Sequence, residues 1–288
     1  MMTFSIQQAS PPILLIHGGA GKKTKDKTIE AQRQLSLQRI LSEVWPQLES
    51  GLSALETVTL AVQKLEDCPL FNAGRGAVLQ SDGLARLSAS LMDGCRGKFS
   101  GVMLATHLLN PSRLAAYLQE KEESVVGPLG AQLIAREMGI APKSPLTPES
   151  IQRWMKTLKQ PNQGYGTVGA VVMDKQGRLA AATSTGGHGA NYPERISDSA
   201  TVAGNYASAF AAISCTGIGE QIVDDALAAR LETRVRDGHT ILTASEKCLK
   251  EAQTKGREYG WIGIDHQGNE CVFCTTETIA WAGKDGNG

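Results

Sequence analysis

The chain has 288 residues, and its 29 Lys+Arg are balanced by 29 Asp+Glu. No whole-molecule field therefore draws in nucleic acid or anionic lipid, and a small-molecule site fits better. Met1 to Pro12 has neither the basic start nor the long apolar stretch of a signal peptide, and Ile13 to Ile16 is too short to span a bilayer. The expectation is a cytoplasmic protein with no membrane and no nucleic-acid partner. The six cysteines are scattered, unlike the dense framework of a small secreted domain, and are expected to be reduced core thiols. Cys271 and Cys274 form a C-x-x-C, but strand positions three apart face opposite ways, and no second pair completes a zinc site.

In chain order, Ile13 to Ile16 reads as a buried strand running into a tight glycine turn, His17-Gly18-Gly19-Ala20-Gly21. A helix follows, with Ile29, Leu37, Ile40, Leu41, Val44 and Leu48 at helical spacing. A second helix opens on the capping box Ser53 to Glu56 and stops near Cys68-Pro69. The loop Phe71 to Gly76 leads to two strands, Leu87 to Met92 and Phe99 to Ala105. Asn110-Pro111 and Thr147-Pro148 look like N-caps with proline in the first turn, and Gly139 closes a helix that begins near Pro128. Residues 141–166, rich in proline and polar side chains, read as an exposed linker. Thr167 to Met173, a turn at Asp174 to Gly177, and Leu179 to Ser184 form a hairpin of buried strands. Ala211 to Cys215 reads as a strand that delivers Thr216-Gly217-Ile218-Gly219 to a long helix, Glu220 to about Asp237, closed by Gly238. A helix over Thr243 to Thr254 and a hairpin, Trp261 to Ile264 with Cys271 to Thr275, complete the chain. Strands gathered in groups, with helices between them, predict an α+β arrangement of central sheets covered by helices.

Thr167 stands first in a buried strand, after a glycine and a linker. Read alone, it is a β-branched strand residue. If the Gly166-Thr167 bond were cut, however, it would carry both a hydroxyl nucleophile and a free α-amine, a base that titrates near neutrality. Gly166 suits that cut, because the bond must bend toward the hydroxyl and a residue without Cβ tolerates such a conformation.

Gly166 to Val171, followed by Leu179 to Gly187, resembles the start of the β subunit in the plant-type L-asparaginase/isoaspartyl peptidase family of N-terminal nucleophile hydrolases. The resemblance covers nearly the whole chain, with Ile16 to Gly21, Pro69 to Gly74, Met92 to Gly94 and Ser214 to Glu220 in family order. It implies a four-layer αββα sandwich, made as a single catalytic domain over residues 1–288 and autocleaved into an α subunit, 1–166, and a β subunit, 167–288. It also implies an (αβ)2 homodimer of cleaved protomers that hydrolyses β-aspartyl dipeptides and L-asparagine.

By the same resemblance Thr167 is the nucleophile, Thr185 orients it, and Thr216 with Gly217 forms the oxyanion hole. Arg195 and Asp198 bind the substrate's α-carboxylate and α-amine, Gly219 lies near that amine, and Asn72 is close to the site. No organic cofactor is required, and a structural sodium ion would be wrapped by main-chain carbonyls of Leu65, Glu66, Cys68, Phe71, Ala73 and Arg75. Read without the family, Thr185 is a strand-end hydroxyl, Cys215 to Gly219 an ordinary strand-to-helix turn or weak phosphate loop, and Arg195 with Asp198 a surface ion pair. His17 reads as a structural residue rather than a base. The chain departs from the family at Glu194 and Ser197, where glycine is usual, at Ser88, where aspartate is common, and over His188 to Asn191, all of which bear on substrate preference. The alternatives are an aspartylglucosaminidase-like hydrolase, a non-cleaving scaffold, and a phosphate-binding protein built on the two glycine turns.

Overall fold

The structure is a computed structural model that describes residues 2–24, 26–159 and 166–287. Its elements are β1 (Met2–Ile6), β2 (Ile13–Gly21), α1 (Lys27–Glu49), α2 (Ala54–Asp67), β3 (Leu87–Asp93), β4 (Lys98–Ala105), α3 (Pro111–Leu118), β5 (Val125–Val126), α4 (Pro128–Glu137) and α5 (Pro148–Lys159). They continue with β6 (Val168–Met173), β7 (Leu179–Thr185), β8 (Asn205–Ala207), β9 (Ala211–Gly217), α6 (Gly219–Asp224), α7 (Leu227–Arg236), α8 (Ile241–Thr254), β10 (Tyr259–Asp265), β11 (Glu270–Cys274) and β12 (Thr278–Asp285). The strands form one sheet in the order β1-β11-β10-β9-β8 and another in the order β12-β2-β6-β7-β3-β4-β5.

Strand alternation divides the core. On β2 and β6, Leu14, Ile16, Val168, Ala170 and Val172 pack against buried residues of α1 and α2 such as Leu37, Val44, Val58 and Leu65. Their neighbours Ile13, Leu15, Val171 and Met173 pack instead with Ile262, Ile264 and Val272 of the other sheet. The far face of that sheet buries Ile213, Trp261 and Phe273 against α7 and α8. Both faces of the central strands are therefore covered, which explains why they read as unbroken apolar runs rather than as alternating ones. Cys271 and Cys274 fall in different clusters, as three-residue strand spacing requires, and all six cysteines are free thiols, five of them buried. Among the described residues no helix is long and apolar enough to cross a membrane.

Several expectations are corrected. His17 to Gly21 is not a turn but the continuation of β2, and two of its three glycines, Gly18 and Gly19, serve close approach. A Cβ on Gly18 would lie 2.4 Å from the Phe71 ring, and one on Gly19 would lie 2.6 Å from the Cα of Gly166. The segment read as linker contains α5, whose Trp154 donates to the Gln80 carbonyl at 2.9 Å; residues 160–165 of that segment lie outside the described ones. The long helix expected from Glu220 to Asp237 is two helices, broken at Asp225 and Ala226, the latter in the left-handed region at φ 46°. The strands β1, β5, β8 and β12 were not anticipated.

The hairpin of β6 and β7 carries the site, and Asp174 holds it. One carboxylate oxygen accepts from the backbone N–H groups of Gln176 and Arg178, and the other accepts from Ala54 N–H at 3.1 Å and from Arg178 Nε at 2.7 Å. The turn is thereby tied to the first residue of α2. Replacing Asp174 by Ala leaves the buried Ala54 N–H without a partner, so a loss of about 1–3 kcal/mol in unfolding free energy is expected. Urea denaturation of Asp174→Ala against the native chain measures it, and an unchanged midpoint would refute the tether.

Candidate active site

Thr167, Thr185 and Thr216 are all buried and meet at one end of the space between the sheets. The Thr167 hydroxyl donates to Thr185 Oγ1 at 3.1 Å and lies 3.3 Å from Ser199 Oγ. Thr185 Oγ1 also accepts from the Gly187 N–H at 3.0 Å. Thr216 Oγ1 accepts from Ala20 N–H at 3.2 Å and reaches the Thr167 carbonyl at 3.4 Å. Thr216 and Gly217 are the last residues of β9, and the helix that follows has only six residues, so a long helix dipole does not act here. Gly217, at φ 140°, has Tyr259 Cα 2.5 Å from where a Cβ would stand, which requires glycine.

Gly166 packs directly on β2. A Cβ added to it would lie 2.4 Å from Gly19 Cα, so the peptide before Thr167 is held backbone to backbone. Asn72 borders the same region. Its side-chain amide donates to the Gly187 carbonyl at 2.7 Å, its Oδ1 accepts from Val78 N–H, and its carbonyl accepts from Gly186 N–H.

Arg195, Asp198 and Gly219 converge. A Cβ on Gly219 would lie 2.6 Å from Asp198 Oδ1 and 2.9 Å from an Arg195 Nη. Asp198 is buried, and its Oδ1 accepts from Ser197 Oγ at 2.6 Å, while Oδ2 has no hydrogen-bond partner. Burial raises its pKa to about 6, against the opposing effects of the Ser197 hydroxyl and the Arg195 charge. Arg195 is paired through Nε and Nη2 with Glu220 at 2.7 and 2.6 Å, which leaves Nη1 outside that pair. The forked grip expected for a ligand carboxylate is thus occupied by a neighbour.

Sequence reasoning missed Ser199, Glu220 as the partner of Arg195, and Gln80. The last holds the loop of Arg195 from both sides, accepting from Glu194 N–H at 2.9 Å and donating to the Arg195 carbonyl at 3.4 Å. Nothing in its local pattern marks it, since the contact spans more than a hundred residues. Glu194, where the resemblance leads to an expectation of glycine, sits at φ 63°, a left-handed conformation that glycine adopts freely. Ser88 accepts from Leu104 N–H at 3.0 Å beside a register shift in β3 and β4. His188 pairs with Asn191 at 3.0 Å. His17 is buried and neutral, burial lowering its pKa to about 3.

Among the described residues no group of three or more His, Cys, Asp or Glu is placed to hold a metal. The turn from Leu65 to Gly76 does concentrate main-chain oxygens. The Glu66 carbonyl lies 2.3 Å from the Cβ position of Gly74, and the Phe71 and Pro69 carbonyls lie 1.9 and 2.7 Å from that of Gly76. The Leu65, Cys68 and Ala73 carbonyls also accept N–H groups within the turn. The Glu66 carboxylate, fully buried, accepts from Ser112 and Ser184, and burial raises its pKa to about 7.

The family model described as Asparaginase matches residues 10–288. The chain is 42% identical to an "Isoaspartyl peptidase/L-asparaginase" of Nostoc sp., an alignment that covers 96% of this chain and 92% of that one. It is 38% identical to the "Isoaspartyl peptidase" of Escherichia coli, covering 93% and 92%, and 33% identical to a "Plant-type L-asparaginase" of Pyrococcus abyssi, covering 93% and 95%. The chain belongs to the asparaginase family of N-terminal nucleophile hydrolases.

Proposed function

We propose that the protein is a self-processing threonine amidohydrolase that releases L-aspartate from β-aspartyl dipeptides and from L-asparagine. One observation carries the reading: the Thr167 hydroxyl, buried against Thr185 and Ser199, follows a glycine whose backbone is pressed on Gly19.

In the uncut chain Thr167 Oγ1 attacks the Gly166 carbonyl carbon. The carbon–nitrogen bond breaks, the Thr167 nitrogen takes the hydroxyl proton, and water hydrolyses the resulting ester. The freed α-amine then serves as base for its own hydroxyl. Oγ1 attacks the substrate's side-chain carbonyl, and the charge that develops on oxygen is met by Thr216 Oγ1 and the Gly217 N–H. The protonated amine passes its proton to the leaving nitrogen. Water, deprotonated by the same amine, hydrolyses the aspartyl ester and restores Thr167. Arg195 binds the α-carboxylate through Nη1, and the unpaired Oδ2 of Asp198 accepts the α-ammonium.

This reading carries with it the four-layer αββα sandwich, supported by the three large clusters of core residues, on either side of and between the sheets. It also carries a single domain cut into residues 1–166 and 167–288, a homodimer of cleaved pairs, and a cytoplasmic location that the free thiols suit. A sodium ion would be held by the carbonyls of the turn from Leu65 to Arg75, where it would order the chain with a fixed positive charge. No organic cofactor enters any step.

The test is aspartate release from a β-aspartyl dipeptide and from L-asparagine. The native protein is expected to turn over both, whereas Thr167→Ala falls by a factor of about 10³ or more. A Thr167→Ala protein as active as the native one would sink the mechanism. A second expectation follows from the buried carboxylate. Because Asp198 must be ionised to accept an ammonium and its pKa is raised to about 6, kcat/KM, already falling as the Thr167 amine takes up its proton near neutrality, falls more steeply in a second acid limb below about pH 6. Ser197→Ala removes a hydrogen bond that favours the ionised form, so this second limb should move to higher pH. A limb that stays in place excludes Asp198 as its source.

A further inference from the structure

Four buried polar side chains run between the sheets one row below the threonines. Asn205 Nδ2 donates to the Ala181 carbonyl at 3.4 Å, which leaves its Oδ1 to accept from Thr183 Oγ1 at 3.1 Å. Thr183 Oγ1 lies 2.6 Å from Ser214 Oγ, and Ser214 Oγ lies 2.9 Å from His17 Nε2. All four residues are fully buried.

Counting protons gives the line a direction. The Thr183 hydroxyl is spent on Asn205, so the Ser214 hydroxyl must donate to Thr183, and Ser214 must in turn accept from His17 Nε2–H. Three contacts use three protons. The neutral ring then keeps Nδ1 bare, buried and without a partner in hydrogen-bond geometry; the competing contact is a hydrogen bond from the ring to the Thr167 main chain, which would draw the proton to Nδ1 and reverse the line. Room for the pair comes from Gly169, where a Cβ would lie 2.0 Å from Ser214 Oγ and 2.5 Å from His17 Nε2.

Three of the four members stand two residues along the chain from a residue of the site: Thr183 from Thr185, Ser214 from Thr216, and His17 from Gly19. Gly169 stands two from Thr167. Strand alternation places Thr183 with Thr185, and Ser214 with Thr216, on the same face about 7 Å apart, whereas a register shift against β12 interrupts β2 between His17 and Gly19. The line joins β2, β7, β8 and β9, and so ties the sheet that carries Thr167 and Thr185 to the sheet that carries Thr216.

We propose that Asn205, Thr183, Ser214 and His17 form a one-way hydrogen-bonded line that positions Thr216 against Thr167 and Thr185 across the two sheets. The inference rests on the hydrolase reading for its kinetic test. It adds a positioning role for residues that touch no substrate. Apolar contacts between the sheets are non-directional and tolerate small slides, whereas three hydrogen bonds of fixed polarity do not.

The experiment combines two measurements. In ¹⁵N-labelled native protein, the His17 ring is expected as the neutral tautomer with its proton on Nε2; a proton on Nδ1 would overturn the direction of the line. In parallel, kcat and KM for a β-aspartyl dipeptide are measured for Ser214→Ala, Thr183→Val and Thr183→Ser, with thermal midpoints. Ser214→Ala and Thr183→Val should each lose about 10–100-fold in kcat, the scale of a misplaced reacting group, with KM within about 3-fold. Thr183→Ser, which keeps the hydroxyl, should stay within about 3-fold of the native kcat, and the double variant should be no worse than either single one. Folded variants with native kcat, or a Thr183→Ser protein as impaired as Thr183→Val, would overturn the proposal. If the alanine and valine variants do not fold, Thr183→Ser and the tautomer still decide it. A native protein inactive on the dipeptide refutes the hydrolase reading instead, and the tautomer then decides this one alone.

Discussion

At Gly19 and Gly166 two stretches of backbone touch with no side chain between them, and the placement of everything else at the site depends on that contact. A methyl group on either residue would overlap the other strand's main chain. The contact fixes the peptide before Thr167 against β2, and the next residue of β2, Ala20, donates its N–H to Thr216 Oγ1. A single strand segment thus holds both the Gly166–Thr167 peptide and the Thr216 hydroxyl. The hairpin turn at Asp174 sets the other end, since the register of β6 on β7 decides that Thr185 meets Thr167.

Burial without compensation is the second theme. Asp198 keeps one oxygen without a partner, and a carboxylate in that state is held toward its protonated form. An arriving ammonium would supply the missing partner, so binding relieves a penalty already present in the free protein. Arg195 is arranged in the opposite way, its charge already matched by Glu220, whose own pKa is lowered chiefly by that hydrogen bond. The two side chains therefore differ, one an under-satisfied anion and the other a cation already paired, as the proposed binding of a zwitterionic substrate would use them. Glu66, beside the turn rich in carbonyl oxygens, differs in that hydroxyl and N–H donors meet both of its oxygens, yet burial still raises its pKa.

Much of this was legible in the residues. The β6 and β7 hairpin and the capping box of α2 were readable from local spacing, whereas the grouping of Thr167, Thr185 and Thr216, and of Arg195, Asp198 and Gly219, came from the family resemblance. What escaped has identifiable physical causes. The His17 to Gly21 glycines mimic a turn, but Gly18 and Gly19 are required to make space for Phe71 and Gly166, which are distant in sequence. The break at Ala226 is hidden because alanine ordinarily favours helix, and only tertiary packing holds it at positive φ. The strand β12 alternates weakly and pairs with β2 across the whole length of the chain, a contact that no window can see. Gln80 and Ser199 are ordinary polar residues until the fold brings Arg195 and Thr167 to them.

The central claim is that Thr167 acquires its base by cutting the bond that precedes it. Intact mass of the purified protein after incubation near neutral pH, beside Thr167→Ala, addresses it most directly. The account requires two fragments, residues 1–166 and 167–288, from the native chain and an uncut Thr167→Ala chain. A native chain that stays whole while it releases aspartate, or a Thr167→Ala chain that divides at the same bond, would contradict it.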